Sequence, residues 1–192
     1  MSTLQVNTIN ESTSTSGVTI DGVLIKDGLV DGKDVSALTA GKVLQVVNAT
    51  DAASSNGDAT PRYGTQITSS SFTDTALSAS ITPSATSSKI LIIVRHNPLT
   101  YAPGTIPFGE YQLLRGSTVI TGPAAAGHKA DDHPSDNNAY NSIPIIFNYL
   151  DSPSTTSATT YKTQAKYVGS GSGYTWTGYY ALSTMTLMEV AG

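Results

Sequence analysis

Serine and threonine are the residues that most constrain what this chain folds into. Together they make up 51 of its 192 residues, whereas charged residues make up only 12%, about half the usual share in a soluble domain. Threonine favours strands, and serine favours turns, as do the 17 glycines and 9 prolines. No window of helical length carries apolar residues at i, i+3, i+4 and i+7. We therefore expect an all-β protein.

The composition also excludes several classes of function. The formal net charge is −4, so we expect no nucleic-acid partner, because such a partner needs a basic surface. The chain has no cysteine, which removes disulfides, thiolate metal sites and cysteine nucleophiles. The longest purely aliphatic run covers only residues 90–94, so we expect no membrane insertion.

Two regions are expected, residues 1–42 and residues 43–192. In the first, Asp-Gly pairs begin at Asp21, Asp27 and Asp31 and separate short, mostly apolar stretches. Asp-Gly favours tight turns, so the strands between them are too short to enclose a core within one chain. We expect a short β shaft that other copies of the chain complete in a homotrimer. A flexible Ser/Thr-rich tail is the alternative.

The second region is predicted to be an antiparallel β-sandwich head of jelly-roll type. Its apolar stretches are bounded by turn-forming residues at spacings typical of such sandwiches. Segment 89–95 is apolar on both faces, as expected of a central strand that is covered on two sides. The run Gly-Ser-Gly-Ser-Gly at 169–173 predicts a flexible hairpin loop. The predicted strands cover residues 43–49, 65–71, 76–81, 89–96, 110–115, 118–120, 143–149, 159–168, 174–180 and 184–190.

Three longer segments, 50–64, 97–109 and 121–142, lack strand character. Long connections are usually functional or disordered, so we expect a binding surface there. Tyr174 and Trp176 alternate with period two, which places both rings on one strand face, where such rings either stack on sugars or pack in the core. The candidate receptor-binding residues are Tyr101, His128, Asp131, Asp132, His133, Tyr140 and Trp176.

Residues that would indicate an enzyme are weakly represented. The segment from His128 to His133 contains two imidazoles and two carboxylates, which are ligand types for a divalent metal. A solvated loop is the more ordinary interpretation, and we expect no metal and no other cofactor. His96 has no assignable nucleophile or orienting acid. Asp131 and Asp132 are adjacent, so they do not form the pair across a cleft that glycoside hydrolysis requires. We therefore expect no catalytic residue.

Several stretches resemble bacteriophage virion-appendage proteins. The N-terminal STLQVNTIN (2–10), leading to GVTIDG (17–22), resembles the opening of many bacteriophage tail-fibre and virion-appendage proteins. Three later stretches resemble the C-terminal β domain of structural proteins of marine tailed phages: TALSASITPSATSSKILI (75–92), LDSPSTTSATTYK (150–162) and STMTLMEV (183–190). The resemblance covers most of the chain apart from the three long segments.

The resemblance implies a homotrimeric, non-enzymatic virion protein with an N-terminal β shaft and a C-terminal β-sandwich head. The head loops would bind a host-surface glycan or envelope protein during adsorption, and residues 1–17 would dock onto another virion protein. Such fibres share no catalytic motif, so no site residue is carried over. The shaft is short for a fibre. The alternative is therefore a capsid fibre or a decoration protein that stabilises the particle without binding a receptor.

Overall fold

The structure is a computed structural model. It describes residues 18–20, 23–26, 29–30, 33–34, 41–51, 64–103, 108–126, 138–169, 172–179 and 181–192, with side chains outside 18–34, 124–126 and 138–141. The chain divides into two compact units, Met1–Lys42 and Val43–Gly192. The described part contains strands and no helix, and hence no helix there that is long and apolar enough to span a membrane.

The first unit contains short antiparallel strands that pair in chain order. They are β1 Val18–Ile20, β2 Val23–Lys26, β3 Leu29–Val30 and β4 Lys33–Asp34. The two-residue gaps between these strands coincide with the three Asp-Gly pairs. Turn chemistry therefore predicted correctly where each strand of this unit stops.

The second unit, which we call the head, forms three antiparallel sheets in its described part. The strands are β5 Val43–Asp51, β6 Gln66–Ile67, β7 Thr73–Ile81, β8 Lys89–His96, β9 Leu99–Pro103, β10 Phe108–Arg115, β11 Thr118–Ala126, β12 Asn138–Asn141, β13 Ile145–Asp151, β14 Thr159–Val168, β15 Tyr174–Trp176 and β16 Ser183–Val190. Sheet 1 has the order β13-β8-β16-β5, and sheet 2 has the order β11-β10-β14-β7. A smaller sheet has the order β12-β9-β15-β6.

The eight long strands of sheets 1 and 2 are paired in a nested way. The first, β5, pairs with the last, β16, and β7 pairs with β14. Inside these pairs, β8 pairs with β13, and β10 pairs with β11. This nesting, divided between two four-stranded sheets, is the strand order of a jelly roll. The prediction of an all-β head built as an antiparallel sandwich is confirmed.

The hydrophobic core lies between sheet 1 and sheet 2. Alternation along each strand supplies it, since every second side chain of β7, β14 and β16 is buried. In β8, Ile90, Ile92 and Val94 are fully buried. The other core members include Leu77, Ile81, Tyr111, Leu113, Ile145, Phe147, Tyr161, Ala165, Met185 and Leu187.

The smaller sheet corrects part of the sequence-based prediction. Segment 97–109 contains β9 and the start of β10, and segment 121–142 contains the end of β11 and all of β12. The strand predicted at 65–71 comprises only the two residues of β6, and the strand predicted at 174–180 comprises only the three residues of β15. These strands are short and pair with partners distant in the chain. Local apolar periodicity therefore carries little signal for them.

A buried carboxylate holds the turn between β7 and β8 against β16. Glu189 is 1% exposed, and its Oε1 accepts hydrogen bonds from the Ser84 amide at 2.7 Å and the Ser84 hydroxyl at 2.6 Å. Its Oε2 accepts a hydrogen bond from Gln45 Nε2 at 2.6 Å. Burial acts to raise the pKa of Glu189, but the bonds from Ser84 and Gln45 outweigh burial and lower this pKa to about 2. The ionised form therefore stabilises the fold.

We predict that Glu189→Gln lowers the free energy of unfolding at pH 7 by about 1–3 kcal/mol. Whichever way the new amide points, its NH₂ group faces an N–H donor of Ser84 or Gln45. Because the folded pKa of Glu189 lies below its ordinary value, the native protein loses stability as pH falls from about 4.5 to about 2. The free energy of unfolding of the variant should vary less with pH in this range. Urea unfolding at several pH values measures both effects.

The matched control is Glu110→Gln, which removes a carboxylate from the half-buried ion pair between Glu110 and Lys166. Such pairs contribute less than about 1 kcal/mol. Equal losses of stability in the two variants would contradict the role assigned to Glu189.

Candidate functional site

The smaller sheet of the head is the candidate site, and we call it the tyrosine sheet. Its strands are β12, β9, β15 and β6. In the chain, β9 follows β8 directly, and β12 comes just before β13. The segment from 127 to 137, which contains four of the predicted binding residues, connects β11 to β12. The long connections of the sequence therefore begin or end on the strands of this sheet.

Buried threonines fix the tyrosine sheet to the core. Thr100 on β9 pairs in register with Thr175 on β15, and the Thr100 hydroxyl donates to Thr175 Oγ1 at 2.8 Å. The phenol oxygen of Tyr111, in sheet 2, lies 3.0 Å from Thr175 Oγ1. Thr100, Thr175 and Tyr111 are at most 1% exposed. One face of the tyrosine sheet is therefore anchored by a buried hydroxyl network.

The alternate residues of the same strands carry aromatic rings. Tyr101 pairs in register with Tyr174, and their ring centroids lie 5.2 Å apart with a tilt of 38°. Trp176 lies edge-on to Tyr174, with the centroids 6.0 Å apart. The period-two prediction for Tyr174 and Trp176 is thus met. Tyr101 and Tyr174 are half-buried, whereas Trp176 is 6% exposed. The two tyrosines therefore present ring surface, and the buried Trp176 packs edge-on beside Tyr174.

A third tyrosine explains the glycine-rich stretch after β14. The ring of Tyr167 lies so close to the backbone of Gly169 and Gly173 that a Cβ atom at either position would overlap its hydroxyl end. At Gly173 the same Cβ would also crowd the carbonyl oxygen of Tyr101, at 2.5 Å. These two glycines therefore allow close packing of the tyrosine sheet, a role that the prediction of a flexible loop did not include.

A buried polar cluster lies at the edge of the tyrosine sheet, where β5 ends. Asp51 accepts hydrogen bonds from the Thr177 hydroxyl and, at 3.4 Å, from the Thr65 amide. The Thr65 amide also donates to Thr177 Oγ1 at 2.8 Å. The Ser183 hydroxyl donates to the Thr177 carbonyl. These bonds tie β15 and β6 to the ends of β5 and β16 in sheet 1.

His96 belongs to this cluster and is completely buried. Its Nδ1 lies 3.4 Å from the Thr177 carbonyl, and its Nε2 lies 3.0 Å from Thr163 Oγ1. A carbonyl only accepts, so Nδ1 carries the hydrogen, and the neutral ring accepts a hydrogen bond at Nε2. Burial lowers the pKa of His96 to about 4, against smaller raising effects of the Thr177 carbonyl and Asp51. His96 is thus a neutral packing residue.

The described surface of the tyrosine sheet carries no formal charge. Its four strands contain Tyr, Thr, Trp, Asn, Gln, Leu, Ile, Ala and Pro. The described residues also contain no group of three or more His, Cys, Asp or Glu side chains placed to hold a metal. Aromatic rings flanked by hydroxyl and amide groups suit a neutral, hydroxyl-rich ligand, because rings pack against apolar C–H surfaces while the polar groups exchange hydrogen bonds.

The structure gathers three of the seven predicted binding residues on one sheet. Tyr101 lies on β9, Tyr140 on β12 is its register partner, and Trp176 lies on β15. The other four, His128, Asp131, Asp132 and His133, lie outside the described residues.

The seven predicted binding residues do not include Tyr174 or Tyr167. The alternation of Tyr174 with Trp176 gave a local signal for the first. No local signal in the sequence indicated that β15 pairs with β9 and brings Tyr174 to Tyr101, because the two strands are separated by more than seventy residues.

Comparisons with known proteins give little to add to this geometry. No family model matches the chain, and no curated protein matches it. Among solved structures, the crystal structure of the infectious bursal disease virus VP2 subviral particle is similar at 15% sequence identity, over 92% of this chain and 38% of that one. The TM-score is 0.37, a value that does not establish a shared fold.

We predict that His96 makes the fold sensitive to mild acid. Its folded pKa of about 4 lies below its ordinary value of 6.5, so the unfolded chain binds the proton more tightly. Stability is therefore complete above about pH 6.5 and falls as pH drops towards 4. The melting temperature of His96→Gln should therefore vary less with pH across this window. Glu189→Gln is the control, since it lowers stability at every pH above about 4.5 by the same amount and changes the pH dependence of the melting temperature only below that pH. An equal pH dependence of the melting temperature in native protein and His96→Gln would contradict the assignment.

Proposed function

We propose that this chain is a non-enzymatic, homotrimeric structural protein of a bacteriophage virion, whose head binds a neutral host-surface glycan through the tyrosine sheet. The observation that carries the proposal is the half-buried pair of Tyr101 and Tyr174 on a small uncharged sheet. Adsorption to a host requires a recognition surface on an external part of the particle. The resemblance of residues 2–22 and of the later stretches to virion-appendage proteins supports this setting.

The chemistry of the tyrosine sheet favours a neutral sugar over a charged ligand. The two rings have few rotatable bonds, so little entropy is lost when they order against a ligand. Gln66 on β6 is exposed and pairs with Trp176, so its amide and the phenol hydroxyl of Tyr174 supply donors and acceptors for sugar hydroxyls beside the rings. An anionic polysaccharide would need cationic partners, and none lies on the four strands of the described sheet.

The position of the tyrosine sheet within the head also suits attachment. The head begins at Val43, at the start of β5, directly after the first unit. The other end of β5 is Asp51, which is hydrogen-bonded beside the tyrosine sheet. A strand of nine residues spans roughly 25–30 Å. The proposed binding surface therefore lies beside the end of β5 opposite Val43, the residue at which the head begins.

Trimer formation is supported by the first unit. Its strands are two to four residues long, and strands of that length do not enclose a core within one chain. Three copies would present three tyrosine sheets, and weak single contacts would then act together as a strong attachment. Residues 1–17 would connect the trimer to another virion protein.

The non-enzymatic assignment is supported by the placement of three buried, described side chains of types that could move protons. His96, Asp51 and Glu189 are at most 1% exposed, and each serves a structural hydrogen-bond cluster. Catalytic acids and bases need reach to a substrate, whereas these groups hold strands together.

We predict that purified protein binds neutral polysaccharides on an array of bacterial capsular polysaccharides and O-antigens. Tyr174→Ala and Tyr101→Ala should each weaken the binding by about tenfold or more, equivalent to the loss of about 1.4 kcal/mol, because each removes a ring face. Tyr174→Phe keeps the ring and should stay within about threefold of the native protein. Val119→Ala, an exposed position on β11 of sheet 2, is the surface control.

Two results would contradict the proposed binding site. One is array binding that Tyr174→Ala and Tyr101→Ala leave unchanged. The other is binding confined to anionic polysaccharides. Absence of all array binding, combined with particles that lose physical stability when the protein is missing, would instead support the decoration-protein alternative.

A further inference from the structure

The outward face of sheet 1 carries an apolar row that the described part of this chain leaves exposed, whereas the next row along the strands, Asn148, Ile93, Thr186 and Asn48, is mostly polar. A continuous row crosses all four strands: Leu150 on β13 pairs with Leu91 on β8, which pairs with Met188 on β16, which pairs with Val46 on β5. At the two edges, Leu150 is 51% exposed and Val46 is 57% exposed. Further exposed apolar side chains on the strands of this sheet are Val43, Leu44, Ile93 and Ile146.

The outward face of sheet 2 is different, and the contrast is informative. There, Lys162 Nζ lies 2.7 Å from Asp74, and Gln164 Nε2 donates to the other oxygen of Asp74 at 2.7 Å. Gln112 donates to Gln164 at 2.7 Å. A polar ladder of this kind is the usual outer face of an antiparallel sheet. The outer face of sheet 1 has one hydrogen bond of this kind, from Asn48 to Thr186 at 2.9 Å, beside an apolar row that crosses all four strands, and no such row crosses the described outer face of sheet 2.

We propose that the outward face of sheet 1 is the surface through which copies of this chain associate, with the row from Leu150 to Val46 at the centre of the contact. The proposal deepens the proposed function and rests on it in taking other copies of the chain as the partner. It also explains why segment 89–95 is apolar on both faces: Ile90, Ile92 and Val94 fill the core, while Leu91 and Ile93 face the neighbouring copy.

The area of the face fits a self-association surface. Four strands of seven to nine residues make a face of about 500 Å² at the usual rise and strand spacing. Three such faces that meet around a threefold axis bury about 1,500 Å² in total, because each face is divided between two neighbours, and this total is of the order that specific protein contacts bury. In a ring of three, each copy meets two neighbours, and the closed arrangement leaves no copy with an uncovered face.

The location of the apolar row favours another copy over an unrelated partner. Val43 and Leu44 begin β5, and Val43 pairs with Val190 at the same end of sheet 1. Residues 1–42 join the head at this end. Copies that associate through residues 1–42, as proposed above, would hold their Val43 residues near one another through the chain connection alone, which raises the local concentration of their sheet 1 faces.

The charged groups on this face lie at its two ends. Lys89 pairs with Val190 at one end, and Arg95 pairs with Ile146 and Thr184 at the other. Both are exposed, so their long side chains are able to extend to solvent at the rim while the apolar row is buried. A further cation placed in the row would find no acidic partner among these residues.

The first test is the mass of the full chain in solution. Light scattering after gel filtration at about 10 µM should give three times the mass of one chain. Val46→Lys with Leu150→Lys in one chain leaves the proposed contacts of residues 1–42 in place, so its trimer should dissociate on dilution at a protein concentration about tenfold higher than the native trimer does, with an unchanged far-UV circular dichroism spectrum. Val119→Lys, at a comparably exposed position on sheet 2, should dissociate at the native concentration. A monomeric native protein overturns the proposal, and so does a double variant that dissociates at the native concentration.

A second test does not depend on the lysine variant folding. Because the chain has no cysteine, Val46→Cys and Val119→Cys each introduce one thiol. Fluorescein maleimide should label Val46→Cys about tenfold more slowly than Val119→Cys at micromolar protein, with the difference vanishing on dilution below the dissociation constant of the trimer. Equal labelling rates at high concentration overturn the proposal.

The two proposals fail in distinguishable ways. A trimer that binds no polysaccharide overturns the tyrosine sheet as the binding site and leaves the sheet 1 contact standing. A monomer that binds polysaccharide in a manner sensitive to Tyr174→Ala overturns the sheet 1 contact and leaves the binding site standing.

Discussion

The C-terminal strand β16 holds the head together, because it pairs with both β5 and β8 in the middle of sheet 1. Its pairing with β5 joins residues near 43 to residues near 190. Sheet 1 is therefore complete only when the whole head has been made, and most contacts are distant in sequence, which is typical of slowly folding β proteins. The same strand supplies Met185 and Leu187 to the core, Glu189 to the turn after β7, and Met188 to the opposite face.

Polar clusters close both ends of the sandwich. At the end where the head begins, Asp151 is buried and receives hydrogen bonds from Arg115 at 2.9 Å and from Tyr161 at 2.6 Å. At the other end, Asp51 and His96 connect the sandwich to the tyrosine sheet. Buried polar groups of this kind are stable only when each has partners. They therefore fix which strands meet at each end more specifically than apolar contacts do.

The sequence predicted the parts of the fold that depend on local pattern. Alternation placed the strands 89–96 and 159–168 with the bounds that the structure has, and the Asp-Gly pairs marked the gaps in the first unit. The tyrosine sheet could not be predicted in the same way. Its β6 and β15 have two and three residues, and they owe their form to Thr65, Thr175 and Thr177 bonding to distant groups. The ring pair of Tyr101 and Tyr174 depends on that long-range pairing.

The apolar residues of segment 89–95 show how a sequence pattern can carry information about assembly. A strand that is apolar on both faces indicates cover on both sides, yet within this chain sheet 2 covers only one side of β8. The apolar residues on the outward face of β8 are explained if another copy of the chain covers that face. An exposed row from Leu150 to Val46 would otherwise favour non-specific association. A defined partner turns that same row into a specific contact, and self-association needs no second gene product to evolve alongside it.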